Sequence, residues 1–278
     1  MTDSVFEGKN QLPRSNSEKF YLDSNLADVK FVFNAGTDHV EYIQAHKMIL
    51  SIGSSVFANM FYGSSTKQDD VPIDDVSAVA FKEFLQFFYL TTLRLTSKHI
   101  ADVINLCKKY KLVGVLAICE AALRKSLTID NMFSVYAIAI HYELTNTIFF
   151  CEMQMVQNAE AILESTNFLT CKRDLIDHVT QLVTPELEMK LKVGSAWVIV
   201  NAYMAWAKAE CGRNNLEKTT ANLRAQLGQS FANIPFVELS SMRFEQFLTN
   251  YNGFLSESDV RRLRQQRRLR QQRKRERF

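Results

Sequence analysis

An α+β unit followed by an all-α unit is the fold class this sequence predicts, and three observations predict it. Two short runs that alternate apolar and polar residues, DVKFVFN at 28–34 and HVEYIQA at 39–45, flank the connection Ala35-Gly36-Thr37-Asp38, the pattern of a β-hairpin with one buried face. From Ser77 onward apolar residues recur at spacings of three and four, and from Thr128 no strand pattern returns. The 278 residues include only 9 Gly and 4 Pro, too few for the corners of a sandwich or a propeller. With 47% apolar and 23% charged side chains, the chain can bury the cores of two domains.

Residues 1–16 are polar, contain Pro13 and show no periodicity, so they read as a flexible lead. After the hairpin the period changes. HKMILSIGSSVFANMFYG places Ile49, Leu50, Val56, Phe57, Met60 and Phe61 at helical spacings broken by Gly53 and the serine pair, which predicts two short helices meeting at a corner. Val71-Pro72-Ile73 predicts an edge strand, because Pro72 has no N–H to give to a ladder. SAVAFKEFLQFFYL sets Val79, Phe81, Phe84, Leu85 and Phe88 on one helical stripe. SKHIADVINLCKKYKL adds a helix with Ser97 as its N-cap and Ile100, Val103, Ile104 and Cys107 inward, and VGVLAICEAAL follows. From Thr128 to about Leu255 at least six more helical segments are legible, among them TIDNMFSVYAIAIHYEL, SAWVIVNAYMAWAKAE and LEKTTANLRAQLG. The boundary between the two units falls near Ser126 to Asp130, without a linker.

At the C-terminus RRLRQQ at 261–266 repeats at 267–272. A step of six residues turns a helix by about 600°, so Leu263 and Leu269 point to different faces and no coiled-coil seam forms. The tail reads either as disordered or as a charged extension of the preceding helix, with no apolar face to bury. It also distorts the overall charge of +3: residues 261–278 hold ten of the 33 Lys and Arg against Glu276, leaving 23 basic and 29 acidic side chains before them. A basic partner surface is therefore confined to Arg261, Arg262, Arg267, Arg268, Arg273, Lys274 and Arg275, a cluster suited to import machinery, an acidic partner or non-specific nucleic-acid attraction. No folded motif supports sequence-specific DNA reading.

The search for reaction chemistry is nearly empty. There is no glycine-rich phosphate loop, no histidine pair at ligand spacing, no nucleophile elbow and no cysteine knuckle. His39, His46, His99, His141 and His178 are scattered, and Cys107, Cys119, Cys151, Cys171 and Cys211 lie singly among apolar residues, as free thiols of a reducing compartment do. The chain has no secretory h-region and no apolar run of the roughly 20 residues a bilayer requires, so a cytoplasmic or nuclear protein without membrane partner, metal or cofactor is expected, and not an enzyme.

Phe20, Tyr21 and Leu22 precede the first strand outside any core pattern, and they read either as a cap on the hydrophobic layer of their own domain or as a self-association surface. The order LADVKFVF, IQAHKMILSIGSSVFANMFYG, VPIDDVSAVAFKEFLQFFYL, NLCKKYKLVGVLAICEAAL resembles a BTB (POZ) domain, with Asp28 opening the first strand and Ala45-His46-Lys47 the first helix. ILESTNFLTCKRDLIDHV and SAWVIVNAYMAWAKAECGR, with Trp206, are similar to a BACK domain. The resemblance covers about residues 17–255 and implies an α+β BTB/POZ domain at 17–126, an all-α BACK domain at 127–258 and a basic tail at 259–278. FANMFYG and WAKAEC look closest to BTB-BACK proteins that carry a C-terminal PHR domain, which is not present before this chain stops.

What the resemblance implies about function is a non-catalytic homodimer, or a heterodimer with longer relatives, that serves as a substrate adaptor of cullin-3 ubiquitin ligases for a substrate the sequence does not name. The family's dimer surface carries over to Phe20, Leu22, Leu26 and Asp28, with Lys47 close to the acidic position. Its cullin contacts carry over to Phe57, Met60, Tyr62 and Tyr110, joined by helices at about 129–163. In the following loop the family's apolar residue and glutamate are replaced by Ser65 and Lys67. The alternative is a BTB-based scaffold or transcriptional cofactor acting through the basic tail.

Overall fold

The computed structural model describes residues 5–9, 16–36, 38–63, 69–112, 114–191 and 194–275, and the chain divides into two units, residues 1–127 with 135–149 and residues 128–134 with 150–278. The first unit opens with a strand, β1 (Val5–Lys9), which corrects the flexible lead expected there. Its partners were hidden because they are distant in sequence. β1 pairs antiparallel with the later strand at Thr92–Thr96, where Glu7 stands opposite Arg94 at 3.4 Å.

The predicted hairpin forms as β2 (Val29–Phe33) and β3 (Glu41–Ala45), with Phe31 opposite Ile43. Alternation sends Val29, Phe31, Phe33, Ile43 and Ala45 to one buried face. Two short helices follow, α1 (Lys47–Gly53) and α2 (Ser55–Tyr62), meeting at Ser54. Ser54 caps α2 by accepting from the Phe57 amide at 3.2 Å and donates its hydroxyl to the Tyr110 carbonyl at 2.6 Å. The chain then returns as β4 (Asp70–Ile73), parallel to β2 and at the sheet edge as Pro72 requires, giving the order β3-β2-β4.

Helix α3 (Ala78–Tyr89), capped by Ser77, lies in the centre of this unit and is buried on nearly all sides. Its Phe81 meets Phe31 at 4.6 Å between ring centroids, and Phe84 and Phe88 meet Phe57. Val79, expected on the inward stripe, is exposed. β5 (Thr92–Thr96), the partner of β1, is a strand within the stretch after Ser77 read as helical with few interruptions, its Leu93 and Leu95 turned inward. α4 (Ile100–Lys109) begins at His99 rather than at Ser97, and α5 (Leu116–Lys125) follows. The division between units falls within α6 (Met132–His141) and α7 (Thr145–Gln157).

The second unit has no strand among its described residues and is built of α8 (Ala159–Glu164), α9 (Arg173–Leu191), α10 (Ser195–Arg213), α11 (Thr220–Leu227), α12 (Ser241–Asn250) and α13 (Glu257–Arg275), joined by turns and short 3-10 helices. α10 buries Ile199, Tyr203, Trp206 and Cys211 on different sides, so it is the core helix. Its polar atoms are matched: Trp206 Nε1 donates to the Cys171 carbonyl at 2.9 Å, and the Tyr203 hydroxyl donates to Asp177 at 2.8 Å. Burial pushes the Cys151 and Cys171 thiols up to about 11 and about 12, which leaves both as poor nucleophiles. No helix among the described residues is long and apolar enough to cross a membrane.

The tail is the largest correction. Residues 257–275 form α13, and of the two readings left open for the tail, disorder is not the one observed. The helix starts on a reciprocal cap: the Asp259 amide donates to Ser256 Oγ at 3.1 Å, and the Ser256 amide donates to Asp259 Oδ2 at 3.2 Å. Burial works against the Asp259 carboxylate, yet hydrogen bonds from Ser256 and Arg224 outweigh it and hold the group below its ordinary range. Leu263 and Arg267, four residues apart, are both buried, whereas Leu269 is exposed as the period of six requires. Arg267 stacks its guanidinium 4.7 Å from the Phe244 ring centroid and donates to the Phe236 carbonyl at 3.1 Å. An arginine thus occupies the position an apolar residue was expected to need.

Candidate interaction surfaces

The segment before β2 is held by His46. Its Nε2 lies 2.7 Å from the Asn25 carbonyl, which can only accept, so that nitrogen carries hydrogen. The Tyr89 hydroxyl lies 3.1 Å from Nδ1 and accepts from the His46 amide at 3.0 Å. Phe20 sets its ring edge against His46 at 5.3 Å. Asp23 closes the turn by accepting from the Asn25 amide and side chain at 3.0 and 3.1 Å, and those bonds hold its carboxyl below the usual range.

This framework leaves two leucines outside. Leu22 and Leu26 are 45% and 81% exposed, and both have left-handed backbone, φ 55° and 61°. Such angles crowd the Cβ of any residue but glycine, at about 1–2 kcal/mol each. Asp28 accepts from the Lys47 amide at 2.7 Å, supplying from a distance the cap that His46 does not give α1. The expected pairing of these two residues therefore runs through the backbone, because the Lys47 ammonium binds Asp69 at 2.6 Å.

Sequence reading missed two neighbours. Met48 and Ile52, one turn apart on α1, are 64% and 68% exposed, while Leu50 between them is fully buried. The signal was available: Met48, Ile49, Leu50 and Ile52 surround a helix of 7 residues, more apolar surface than one inward stripe uses. The Asn25–His46 and Asp28–Lys47 bonds tie the segment carrying Leu22 and Leu26 to the start of this helix.

The second surface is α2. Tyr62 is exposed and Met60 half-buried, but Phe57 and Tyr110 are buried and stacked on each other at 4.2 Å with an interplanar angle of 17°. That corrects their assignment as contact residues: they back the surface and present nothing on it. Burial pushes the Tyr110 phenol up to about 12, so it remains protonated. Ser65 and Lys67 lie outside the described residues.

The third candidate, the basic tail, is largely engaged in its own unit. Arg261 pairs with Glu257 at 3.0 Å, Arg262 with Asp259 at 3.0 Å and Arg264 with Glu245 at 3.0 Å, and Arg267 is buried. Arg268 is exposed, and Arg273, Lys274 and Arg275 continue the helix, their side chains lying outside the description. Among the described residues no group of His, Cys, Asp and Glu is arranged to hold a metal ion.

Residues 18–127 match the family model of the BTB/POZ domain. Over 235 residues, 84% of this chain, it is 27% identical to BTB/POZ domain-containing protein 6-A of Danio rerio and 28% identical to BTB/POZ domain-containing protein 6 of Homo sapiens, covering 42% of each. BTB/POZ domain-containing protein 3 of Homo sapiens is 26% identical over 84% of this chain and 43% of its own length. The chain thus spans under half the length of the curated relatives it matches. The three-stranded sheet, the central α3 and the helices around it are the body of that match, and a BTB domain is a module of self-association and protein–protein binding. Residues 18–127 of this chain are a BTB/POZ domain, followed by an all-helical region.

Proposed function

We propose that the protein is a non-catalytic adaptor that self-associates through Leu22, Leu26, Met48 and Ile52 and presents the α2 surface around Tyr62 to cullin-3, with the helical region acting as a BACK domain. The single observation that carries this reading is the exposure of four large apolar side chains on elements tied together by His46 and Asp28. Exposed leucine and isoleucine each forgo about 1.5–3 kcal/mol of burial, which a second copy of the same face would recover. Phe20 supports the face from beneath, and Lys47 is committed to Asp69.

Two measurements test the reading separately. In light scattering at micromolar concentration the chain runs as a dimer; a monomer ends the self-association half. The purified chain binds the N-terminal domain of cullin-3, and Tyr62→Ala weakens binding by about tenfold or more, as removal of a central aromatic contact does. Ser65→Leu with Lys67→Glu, which restores the family's residue types, tightens it. No binding at tens of micromolar by either protein ends the cullin half and leaves an adaptor for another partner.

A further inference from the structure

A cavity of about 620 Å³ in the second unit opens on the inner side of α13 and shares no residue with the dimer face or the α2 surface. Its wall joins the first turns of α10 and α12 to the inner side of α13, and three arginines line it: Arg243, Arg267 and Arg270. Arg270 is paired with Glu238. The other two have no carboxylate partner among the described residues. Arg243 has Gln246 at 2.8 Å and lies 4.9 Å from the Trp197 ring centroid; Arg267, only 7% exposed, has the Phe236 carbonyl and the Phe244 ring. Glu245 is bridged to Arg264, and Glu188 is exposed at the rim.

A buried cation is ordinarily paired, and here the buried Arg267 and the half-buried Arg243 share one cavity with no carboxylate among the described residues at ion-pair distance from either, Glu238 being bound to Arg270 and Glu188 exposed at the rim. The same wall carries the N-terminus of a 19-residue helix whose N-cap, Gly194, gives no side-chain hydrogen bond, so the positive end of its dipole adds to the arginines. Three arginines line the cavity against two glutamates, Glu188 and Glu238, so one cation and the helix end remain in excess. A phosphate monoester, with charge near −2 and three acceptor oxygens, matches two guanidinium forks. The cavity is larger than a phosphate, and its apolar members Trp197, Leu239 and Met242 suit an apolar neighbour of the phosphorylated residue. Arg243 covers one face of Trp197, which leaves that face no room for a stacked base.

We propose that this cavity binds a phosphorylated side chain of a partner protein, with the phosphate on Arg243 and Arg267 and a flanking apolar residue against Trp197 and Met242. The site is independent of the dimer face and of the α2 surface. The test is calorimetric titration of the full chain with a leucine-flanked phosphoserine tripeptide, the same peptide unphosphorylated, inorganic phosphate and adenosine monophosphate. The phosphopeptide is expected to bind saturably, and about tenfold or more tighter than the other three, because only it uses both the arginines and the apolar wall. Arg243→Gln is expected to weaken it by about tenfold or more, and Arg268→Gln, on the exposed side of α13, by less than about twofold. Arg267→Gln, checked for folding by circular dichroism, gives a second reading at the buried position. Absence of saturable phosphopeptide binding up to about 1 mM, equal affinity in wild type and Arg243→Gln, or a nucleotide or phosphate affinity equal to that of the peptide overturns the proposal.

Discussion

Two regions of the molecule invert the usual polarity of inside and outside. In the segment before β2, Leu22 and Leu26 stand in solvent on left-handed backbone. In α13, Arg267 lies inside, against Phe244 and Phe236. The arginine has its packing supplied within its own unit, since its plane is stacked and one donor is matched, and only its charge is left for the proposed phosphate. The leucines have less: both have left-handed backbone, and their side chains are 45% and 81% exposed. Polarity alone would misclassify both sites. What separates them is whether the chain supplies the missing contacts itself or leaves them to another molecule.

The strongest way to break this comparison is to delete α13. A chain ending at Leu255 uncovers Phe236 and Phe244 and strips Arg224 of Asp259, so the melting temperature is expected to fall by about 10 °C or more, with loss of cooperativity in the helical unit. An unchanged transition would mean that the helix merely rests on its neighbours. The next largest effect concerns the leucines. Leu26→Asp with Met48→Asp is expected to convert a dimer to a monomer in light scattering while leaving secondary structure by circular dichroism intact, since each change places a charge where apolar surfaces would meet. Loss of fold in place of loss of dimer would show that these side chains serve their own unit.

Smaller changes sharpen the contrast. Arg267→Met keeps the stem but leaves the Phe236 carbonyl unmatched, a cost of about 1–3 kcal/mol in urea unfolding, against less than about 0.5 kcal/mol for Leu269→Ala on the exposed side of the same helix. Asp28→Asn retains an acceptor for the Lys47 amide but removes its charge, so stability is expected to fall by only about 0.5–1 kcal/mol with the oligomeric state unchanged. A dimer broken by this substitution would move Asp28 from helix cap to interface.

The sequence made some of this legible and hid the rest for physical reasons. β2, β3, β4 and the α1–α2 corner follow from local alternation, proline and serine signals, and the structure returns them with little change. β1 and β5 were invisible because they pair with each other across most of the unit, with neither a hairpin turn between them nor a proline within them. α13 was misjudged because a binary pattern counts arginine as polar, although Ser256 and Asp259, at capping-box spacing, announced a helix start. At the candidate surfaces, the Asp28–Lys47 proximity was right but its atoms were not, and Phe57 and Tyr110 proved to be the support of α2. Met48 and Ile52 were missed because a helix apolar on every side reads as buried until its outer face is seen.

One feature of the corner between α1 and α2 reaches further than the two short helices it joins. A Cβ at Gly53 would stand 2.7 and 2.8 Å from two atoms of the Phe88 ring, closer than such atoms approach, and Phe88 is itself fixed among Phe57 and Phe84. The position of α1 against α3, and with it the corner that leads into α2, therefore rests on an absent methyl group. Met48 and Ile52 lie on one side of that corner and Tyr62 on the other. In the proposed dimer, the distance between the two copies' Tyr62 platforms is accordingly a dimension of the scaffold, set before any partner arrives and altered by the addition of a single carbon atom.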